Sequence, residues 1–410
     1  MGMLDFTTYL LKLPQECRNF LSDHVLCFTL PRTIHHCPYC DSTHTTVNCY
    51  RNQTLHGIIG SDLTYVYRCR RYRCQDCGKT FAEERPFIER YQRMPKSVIA
   101  AIVKEHGELV TEDQIARRHG LSAPTVMRHF AKVIAEAEEN LKGTLPKILS
   151  MDEFRGNVGA KFQVVLNDLE NKQCHDILKD RTKEELYISV QSYPEKERED
   201  VELVSMDLCN YFRHVVETSF PNADIVADKF HAVRLANDAL NEIRIDLQEK
   251  MTGAERKHFK SSRKLLLARR HHLSGSAICR LESMLSKSKI LKDAYWLKEE
   301  YFTLFTSKDR GTFRERLKNF ATHVEDCALK PFRRLLRTTE EWKEEIWLGI
   351  ETGFNNGFTE GCNNTIKVLK RISYGFRNFE NYRRRILFVL NNPDRQMRRS
   401  KILKKVNHNI

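Results

Sequence analysis

The apolar positions change period several times along the chain. Residues 63–68 alternate apolar and polar, the period of a half-buried strand. Residues 95–103 read as a helix. Residues 111–130 then predict two short helices. Ile115, Leu121, Val126 and Phe130 supply their apolar face, Thr111 and Ser122 can cap them, Ala116 is small where they cross, and Gly120 permits the turn. Residues 131–145 continue as a charged helix. From 147 the pattern becomes strand (147–154), strand (162–166), strand (174–178), helix (182–193), strand (201–207), helix (211–220), strand (223–228). Beyond about 240 the segments 240–248, 264–272, 278–285, 296–305 and 313–324 read as helical. No stretch approaches the 18 apolar residues of a membrane span.

With 410 residues, 41% of them hydrophobic and 10% aromatic, the chain can bury the cores of two to four domains. That excludes a disordered protein, and Gly 17 with Pro 11 excludes collagen-like or Pro-rich chains. Residues 1–11 lack the basic start and cleavage site of a signal peptide. The net charge of +14 is unevenly spread: +4 over 1–150, −8 over 151–250 and +18 over 251–410. An acidic, metal-holding segment beside a polyanion-binding one fits that separation.

The 13 cysteines are an odd number, and no secretion signal favours disulfides. Four fall into two C-x₂-C knuckles, Cys37-Pro-Tyr-Cys40 and Cys74-Gln-Asp-Cys77, 34 positions apart. Such knuckles let four thiolates converge on one structural zinc, with Gly78 at the following turn. Cys49, Cys69, His35, His36 and His44 are spare. This predicts a zinc ribbon on a β-hairpin. The 111–130 pattern is that of a helix-turn-helix whose second helix can enter a major groove, with Thr125, Arg128, His129 and Lys132 facing DNA.

The order β-β-β-α-β-α-β from 147 to 228 is that of a ribonuclease-H-like core, in which the first and fourth strands are neighbours. Asp152 and Asp207, each ending a strand with Ser-Met-Asp, would then approach each other. Two close carboxylates repel unless a cation sits between them, and Mg²⁺ prefers such oxygen ligands. Two metals there could activate a water or a 3′-hydroxyl and stabilise the leaving oxygen of a phosphodiester. A third carboxylate is available on a helix near 358, where Glu360, Asn364, Lys367 and Arg371 share one face.

With these motifs the chain resembles a DDE transposase of the ISL-three family of bacterial insertion sequences. The resemblance covers nearly the whole chain. It rests on the ribbon, the helix-turn-helix, Met-Asp152-Glu-Phe, Ser-Met-Asp207, Pro221-Asn-Ala-Asp-Ile-Val-Ala-Asp228-Lys-Phe-His231, Asn356-Gly-Phe-Thr-Glu360-Gly-Cys-Asn-Asn-Thr-Ile-Lys367 and Tyr374-Gly-Phe-Arg-Asn-Phe-Glu-Asn-Tyr-Arg-Arg-Arg-Ile386. It implies a catalytic triad of Asp152, Asp207 and Glu360, with Asp228 competing for the second position. Two Mg²⁺ (or Mn²⁺) ions would sit there and one Zn²⁺ in the ribbon. Double-stranded DNA would be the partner, as terminal inverted repeats and as target, with a homodimer in the synaptic complex.

The expected organisation is multidomain α/β: N-terminal segment 1–30, zinc ribbon 31–90, helix-turn-helix and linker helix 91–145, core 146–238, helical insertion 239–345, core with the Glu 346–392, basic tail 393–410. The insertion accounts for the 153 positions between Asp207 and Glu360. Within it Arg263, Lys264, Arg269 and Arg270 would track phosphates. Trp296, Trp342 and Trp347 are expected in the core, unless one stacks on a flipped base. A cytoplasmic, nucleoid-associated location follows. The alternatives are a nuclease of the same core without strand transfer, and a DNA-binding regulator with an inactive core.

Overall fold

The computed structural model describes residues 17–22, 24–58, 63–140, 144–156, 158–261, 263–354 and 356–393. The basic run 395–405 and Asn355 lie outside the described residues. Among the described residues the chain is mixed α/β with two five-stranded sheets. It divides into two compact units, residues 1–143 with 366–410, and residues 144–365.

The first unit opens with β1 (Arg18–Ser22), β2 (Val25–Thr29), β3 (Thr45–Leu55), β4 (Thr64–Cys74) and β5 (Thr80–Ala82), in the order β1-β2-β4-β3 with β5 also on β4. β3 and β4 form a long antiparallel ladder. β1 and β2 lie where the sequence shows only an N-terminal segment, and β2 joins β4 in parallel, Val25 opposite Thr64. Phe28, Tyr67 and Phe87 form the sheet's aromatic core, with ring centroids 5.1–5.8 Å apart. Beside them Glu83 is buried but satisfied. Its carboxylate accepts from Tyr67 Oη at 2.5 Å, from the Arg70 backbone N–H at 2.8 Å and from the Arg70 guanidinium at 2.9 Å.

Three helices follow: α1 (Lys96–His106), α2 (Glu112–Arg118) and α3 (Ala123–Asn140). Thr111 starts α2 with a reciprocal cap: its Oγ1 accepts from Gln114 N, and Gln114 Oε1 accepts from Thr111 N, both at 3.0 Å. Gly120 turns the chain at φ +61°. Ile115, Ala116, Val126 and Ile102 pack as one apolar cluster. α3 runs on to Asn140, through most of the segment expected to continue it as a charged linker helix.

A C-terminal helix, labelled α16 (Phe379–Leu390) in chain order, belongs to this unit as well. Arg385 on it is buried, and its guanidinium donates to the carbonyls of His106, Glu108 (3.2 Å) and Val110 (2.7 Å) between α1 and α2. Phe388 meets Phe130 edge-on at 5.3 Å. The sequence reading assigned 346–392 to the core; residues 366–393 group instead with the N-terminal elements. The signal was hidden in Arg383-Arg384-Arg385, where one cation of a basic run is an interior anchor.

The second unit is built on β6 (Ile148–Arg155), β7 (Phe162–Asp168), β8 (Gln173–Leu178), β9 (Leu203–Met206) and β10 (Asp224–Ala227). The order is β10-β9-β6-β7-β8: β10, β9 and β6 run parallel, while β7 and β8 alternate antiparallel. Met151 of β6 stands opposite Met206 of β9, and Met206 opposite Ala227 of β10. The parallel steps are made by α4 (Lys183–Gln191) and α5 (Glu195–Glu199) before β9, and by α6 (Asn210–Ser219) before β10.

α7 (Lys229–Glu249) leaves β10 directly, so the boundary drawn at 239 falls inside an unbroken helix. It is followed by α8 (Gly253–Ser261), α9 (Arg263–Leu267), α10 (Gly275–Leu285), α11 (Lys289–Thr303), α12 (Arg310–Cys327), α13 (Lys330–Glu341) and α14 (Lys343–Thr352). Residues 264–272, read as one helix, break after Leu267. Trp342 and Trp347 are core, whereas Trp296 is 43% exposed. α14 packs closely on β10 through Gly349, where a Cβ would lie 2.9 Å from Ala227 O. α15 (Gly357–Ile372) then carries Glu360.

Candidate functional site

In the second unit three carboxylates collect just past the last mutually paired residues of three adjacent parallel strands, Asp152 lying inside β6, which runs on to Arg155 against β7. Asp152 lies one residue past Met151 on β6. Asp207 follows the last residue of β9, and Asp228 the last residue of β10. Parallel pairing alone aligns them, because Met151, Met206 and Ala227 stand side by side in register. The Asp228 backbone N–H donates to Met206 O at 2.9 Å and clamps the two strand ends. Asp228 also caps α7, its Oδ1 accepting from Phe230 N at 3.1 Å.

Asp152, Asp207 and His231 each present a ligand atom within 4.8 Å of the others. His231 comes from the first turn of α7, and its Nε2 lies 3.0 Å from Asp207 Oδ1 and 3.8 Å from Asp228 Oδ2. The contact with Asp207 is close but poorly aimed. Asp207 Oδ1 is buried without a hydrogen bond among the described residues. Asp152 Oδ2 accepts from Asn363 Nδ2 at 2.7 Å.

The electrostatics are those of a site short of positive charge. Burial, opposed by the Glu153 backbone N–H and reinforced by Asp228, pushes Asp152 up to about 6. Burial, with the charges of Asp152 and Asp228, pushes Asp207 up to about 8. Burial raises Asp228 as well. His231 brings little relief, because burial and then the Arg234 charge push it down to about 4. Clustered, desolvated carboxylates with one orphaned oxygen are the donor set a divalent cation fits. Asp152 and Asp207 would hold it.

α15 reaches this sheet through a face that the sequence did not single out. Asn356, Thr359 and Asn363 are buried at i, i+3 and i+7. Ser205 Oγ of β9 donates to Asn356 Oδ1 at 3.4 Å. Thr359 Oγ1 meets Ser150 Oγ of β6 at 2.6 Å and accepts from Asn167 Nδ2 of β7 at 3.0 Å. Polar residues on both surfaces hide this contact from any search for apolar stripes. Glu360, Asn364, Lys367 and Arg371 line the adjoining, exposed face, as their spacing predicts. Glu360 is not drawn into the Asp152–Asp207–His231 group, though its charge reaches Asp228.

In the first unit the four cysteines of the knuckles converge, all Sγ atoms within 4.8 Å of one another. Cys37 Sγ lies 3.5 Å from Cys77 Sγ, and Cys40 Sγ 3.6 Å from Cys74 Sγ. A tetrahedral ZnS₄ site with bonds of about 2.3 Å has sulfur–sulfur edges of about 3.8 Å, so the four thiols fit zinc. The knuckle backbones prepare it: Cys37 N donates to Ser42 O, and Gly78 N, at φ +70°, to Cys74 O. Backbone N–H groups of Cys77 and Asp76 pull Cys74 down to about 6. Cys40, although a hydrogen bond at Ser42 favours its thiolate, is pushed up to about 12 by burial and the neighbouring thiols. A cation resolves that conflict. Cys49 and Cys69 stay outside the cluster.

Of the expected DNA-facing residues on α3, Arg128 and Lys132 are exposed, while Thr125 and His129 are half-buried. Thr125 Oγ1 is 3.0 Å from Ser122 Oγ. Among the helices of the second unit, Arg263 and Lys264 are exposed. Arg269 and Arg270 are not free in the way expected: Arg269 lies over the Phe302 ring, and Arg270 binds Glu282 and lies over Trp296. An aromatic and an acid one or two helices away claim them, which local sequence does not reveal.

A helix-turn-helix and a buried cluster of carboxylates on adjacent strands belong together in a protein that acts on DNA. A transposase family profile matches residues 149–386, and a profile of the helix-turn-helix domain of transposase family ISL3 matches residues 83–134. The first spans more than half the chain, which therefore belongs to the ISL3, or ISL-three, transposase family. The transposase for insertion sequence element IS1001 of Bordetella parapertussis is 25% identical over 314 residues, 76% of this chain and 77% of that protein. The transposase for insertion sequence element IS1557 of Mycobacterium tuberculosis is 25% identical over 197 residues, 42% of this chain and 44% of that protein. A Lactococcus lactis protein named an ATP-dependent protease is 32% identical over a shorter stretch, 28% of this chain and 35% of its own.

Proposed function

We propose that this transposase binds the ends of an insertion sequence, hydrolyses phosphodiester bonds there, and transfers the freed 3′-hydroxyl ends to target DNA. The observation that carries the reading is the cluster of buried, mutually repelling carboxylates on adjacent strands, within the transposase match. Asp152, Asp207 and Glu360 form the catalytic triad of this reading and hold two Mg²⁺ (or Mn²⁺) ions. Asp228 is the alternative second ligand, although its carboxylate already caps α7. Bound there, such ions activate the attacking oxygen and stabilise the leaving one.

The chain's own part is positional. Asn363 fixes the Asp152 carboxylate, and the neutral His231 ring holds its place beside Asp207. The exposed face of α15 offers Asn364, Lys367 and Arg371 to a phosphate backbone. Arg263 and Lys264 add phosphate contacts, while Arg128 and Lys132, with Thr125 and His129, read the end sequence. The strand order β10-β9-β6-β7-β8 supports a ribonuclease-H-like core, and the run of helices within 239–345 its insertion. Zinc in the Cys37–Cys40–Cys74–Cys77 site is structural, since four protein ligands leave no open position. Two copies would pair the two ends in a synaptic complex.

The test is cleavage and 3′-end joining on end DNA. Asp152→Asn, Asp207→Asn and Glu360→Gln should each abolish cleavage and leave end binding intact, single losses being as damaging as combined ones. Near wild-type cleavage by Glu360→Gln removes that residue from the triad. Cleavage that survives Asp207→Asn but not Asp228→Asn moves the second ligand. Cleavage without any joining makes the protein a nuclease.

A further inference from the structure

We propose that Tyr374 is a stacking residue that enters the DNA at a base step, unstacking or receiving a base; this rests on the DNA-transposition reading above. Among the described residues Tyr374 is the most exposed large hydrophobic side chain, at 97%. Its backbone is in the left-handed region, φ +50°, where a bulky residue is strained. The strain does not serve packing, because the ring has no ring or cation partner among the described residues. Tyr91 makes the contrast. It is also left-handed and exposed, but the Arg90 guanidinium covers its ring at 4.8 Å.

The loop that presents Tyr374 is fixed at both ends. Ser373 N donates to Leu369 O at 3.1 Å and Tyr374 N to Arg371 O at 3.4 Å, closing α15. Gly375, at φ +105°, reverses the chain. Phe376 then packs on the buried Tyr382 at 4.9 Å, and Asn378 caps α16 by accepting from Asn381 N at 3.0 Å. A strained, exposed ring on an anchored loop is pre-organised for an external partner.

Charge identifies that partner's chemistry. From Gly361 to Phe379 the chain carries Lys367, Lys370, Arg371 and Arg377 and no carboxylate. Lys367, Arg371 and Arg377 are exposed. Cations that can hold phosphates on both sides of a protruding aromatic ring suit nucleic acid, where the ring can wedge a base step or stack on a splayed base.

The experiment uses the full-length protein and duplexes copied from the DNA flanking its coding sequence, with 2-aminopurine at successive positions. Wild type should brighten the probe at one position or an adjacent pair. Tyr374→Asn, which tolerates the left-handed backbone but lacks the ring, should abolish the brightening and weaken binding by about 5- to 150-fold, the range of one lost base stack. Tyr374→Trp should retain both, and an unchanged melting temperature in all variants shows that folding is not the cause. An abasic site opposite the responsive position should restore binding to Tyr374→Asn. No bright position in the wild type overturns the proposal, as does brightening that survives in Tyr374→Asn. A change of oligomeric state in Tyr374→Asn with normal brightening would make the ring a contact between copies, and also overturns it. Cleavage by wild type in the same tubes reports separately on the transposition reading, which survives those failures and falls only if no DNA is cut.

Discussion

A divalent cation should stabilise the unit of residues 144–365, and only where Asp207 can ionise. Asp207 is held at about 8 and Asp152 at about 6 by burial and mutual repulsion. A carboxyl raised in the folded state contributes stability that is present below its unfolded value near 4 and is lost as pH rises through the folded value. The metal-free unit should therefore melt lower at pH 8 than at pH 6. Adding Mg²⁺ reverses the order. At pH 8 a concentration of about 100 Kd stabilises by about 2.7 kcal/mol, and a unit of this size gains about 2–4 °C per kcal/mol, so the shift is about 5–11 °C. At pH 6 one proton must leave Asp207 two units below its value, which weakens the ion by about a hundredfold. The same concentration then equals about one Kd and gives about 0.4 kcal/mol, or about 1 °C. Scanning calorimetry at both pH values, with and without Mg²⁺ and without chelator (which would also strip zinc), reads this directly. Equal shifts at pH 6 and pH 8, or an undiminished shift in Asp207→Asn, would refute the argument. Asp207→Asn should itself raise the metal-free melting temperature at pH 8.

The other predictions concern the first unit. Cys37→Ser or Cys74→Ser should release one zinc per chain by elemental analysis and unfold residues 30–85 by hydrogen exchange, since zinc in such small sites supplies about 10–16 kcal/mol of apparent binding energy. Arg385→Ala strands three carbonyls between α1 and α2 and should cost about 3 kcal/mol or more, seen as earlier denaturant unfolding of the helix-turn-helix, with Arg385→Lys only partly restoring it. His106 lies flat on Phe130 with centroids 4.1 Å apart, and burial, then Arg385, pushes it down to about 4. Its neutral form is the folded one, so stability present above pH 6.5 should be lost as pH falls to 4, by about 3 kcal/mol. His106→Gln should flatten that part of the stability-versus-pH curve.

The features legible in the sequence are those whose signal is local. Two knuckles at C-x₂-C spacing bring four thiols together once one hairpin pairs, and the hairpin's alternation is visible at 63–68. The aspartates Asp152 and Asp207 were legible because parallel register does the rest: aligning Met151 with Met206 aligns the residues that follow, although β6 runs on past Asp152 to Arg155. Thr111 and Gly120 mark the helix-turn-helix because capping and left-handed turns are decided within a few residues. What stayed hidden depends on distant partners. Nothing near Arg385 says that its acceptors lie 275 or more positions earlier. Nothing near Arg269 names Phe302 as its cover. β1 and β2 are short, and β2 owes its place to pairing with β4.

The site's polar underside makes the same point about its most instructive miss. A search for buried positions on α15 looks for apolar residues and finds Cys362, Ile366 and Leu369, all buried. The contacts beneath Glu360 are instead Asn356, Thr359 and Asn363, set against Ser205, Ser150, Asn167 and Asp152. An apolar interface there would allow the helix to slide or rotate at little cost, because dispersion contacts are not directional. Hydrogen bonds of 2.6–3.4 Å between named atoms fix both the rotation and the register of the helix on the sheet. The orphaned amide atoms left among them, Asn356 Nδ2, Asn363 Oδ1 and Asn167 Oδ1, are the cost of a polar contact where an apolar one would be more stable. Accepting that cost makes sense if rotation of this helix matters more than its stability, and rotation is what decides where Glu360, on the adjoining face, is carried. Thr359→Val tests this without changing volume. It should cost about 1–3 kcal/mol of stability, because the buried Ser150 and Asn167 lose their partner, and, in a protein that still folds, lower cleavage at least tenfold if the alignment of Glu360 is what the hydrogen bonds secure. Unchanged cleavage in a folded Thr359→Val protein would leave the polar stripe a packing detail.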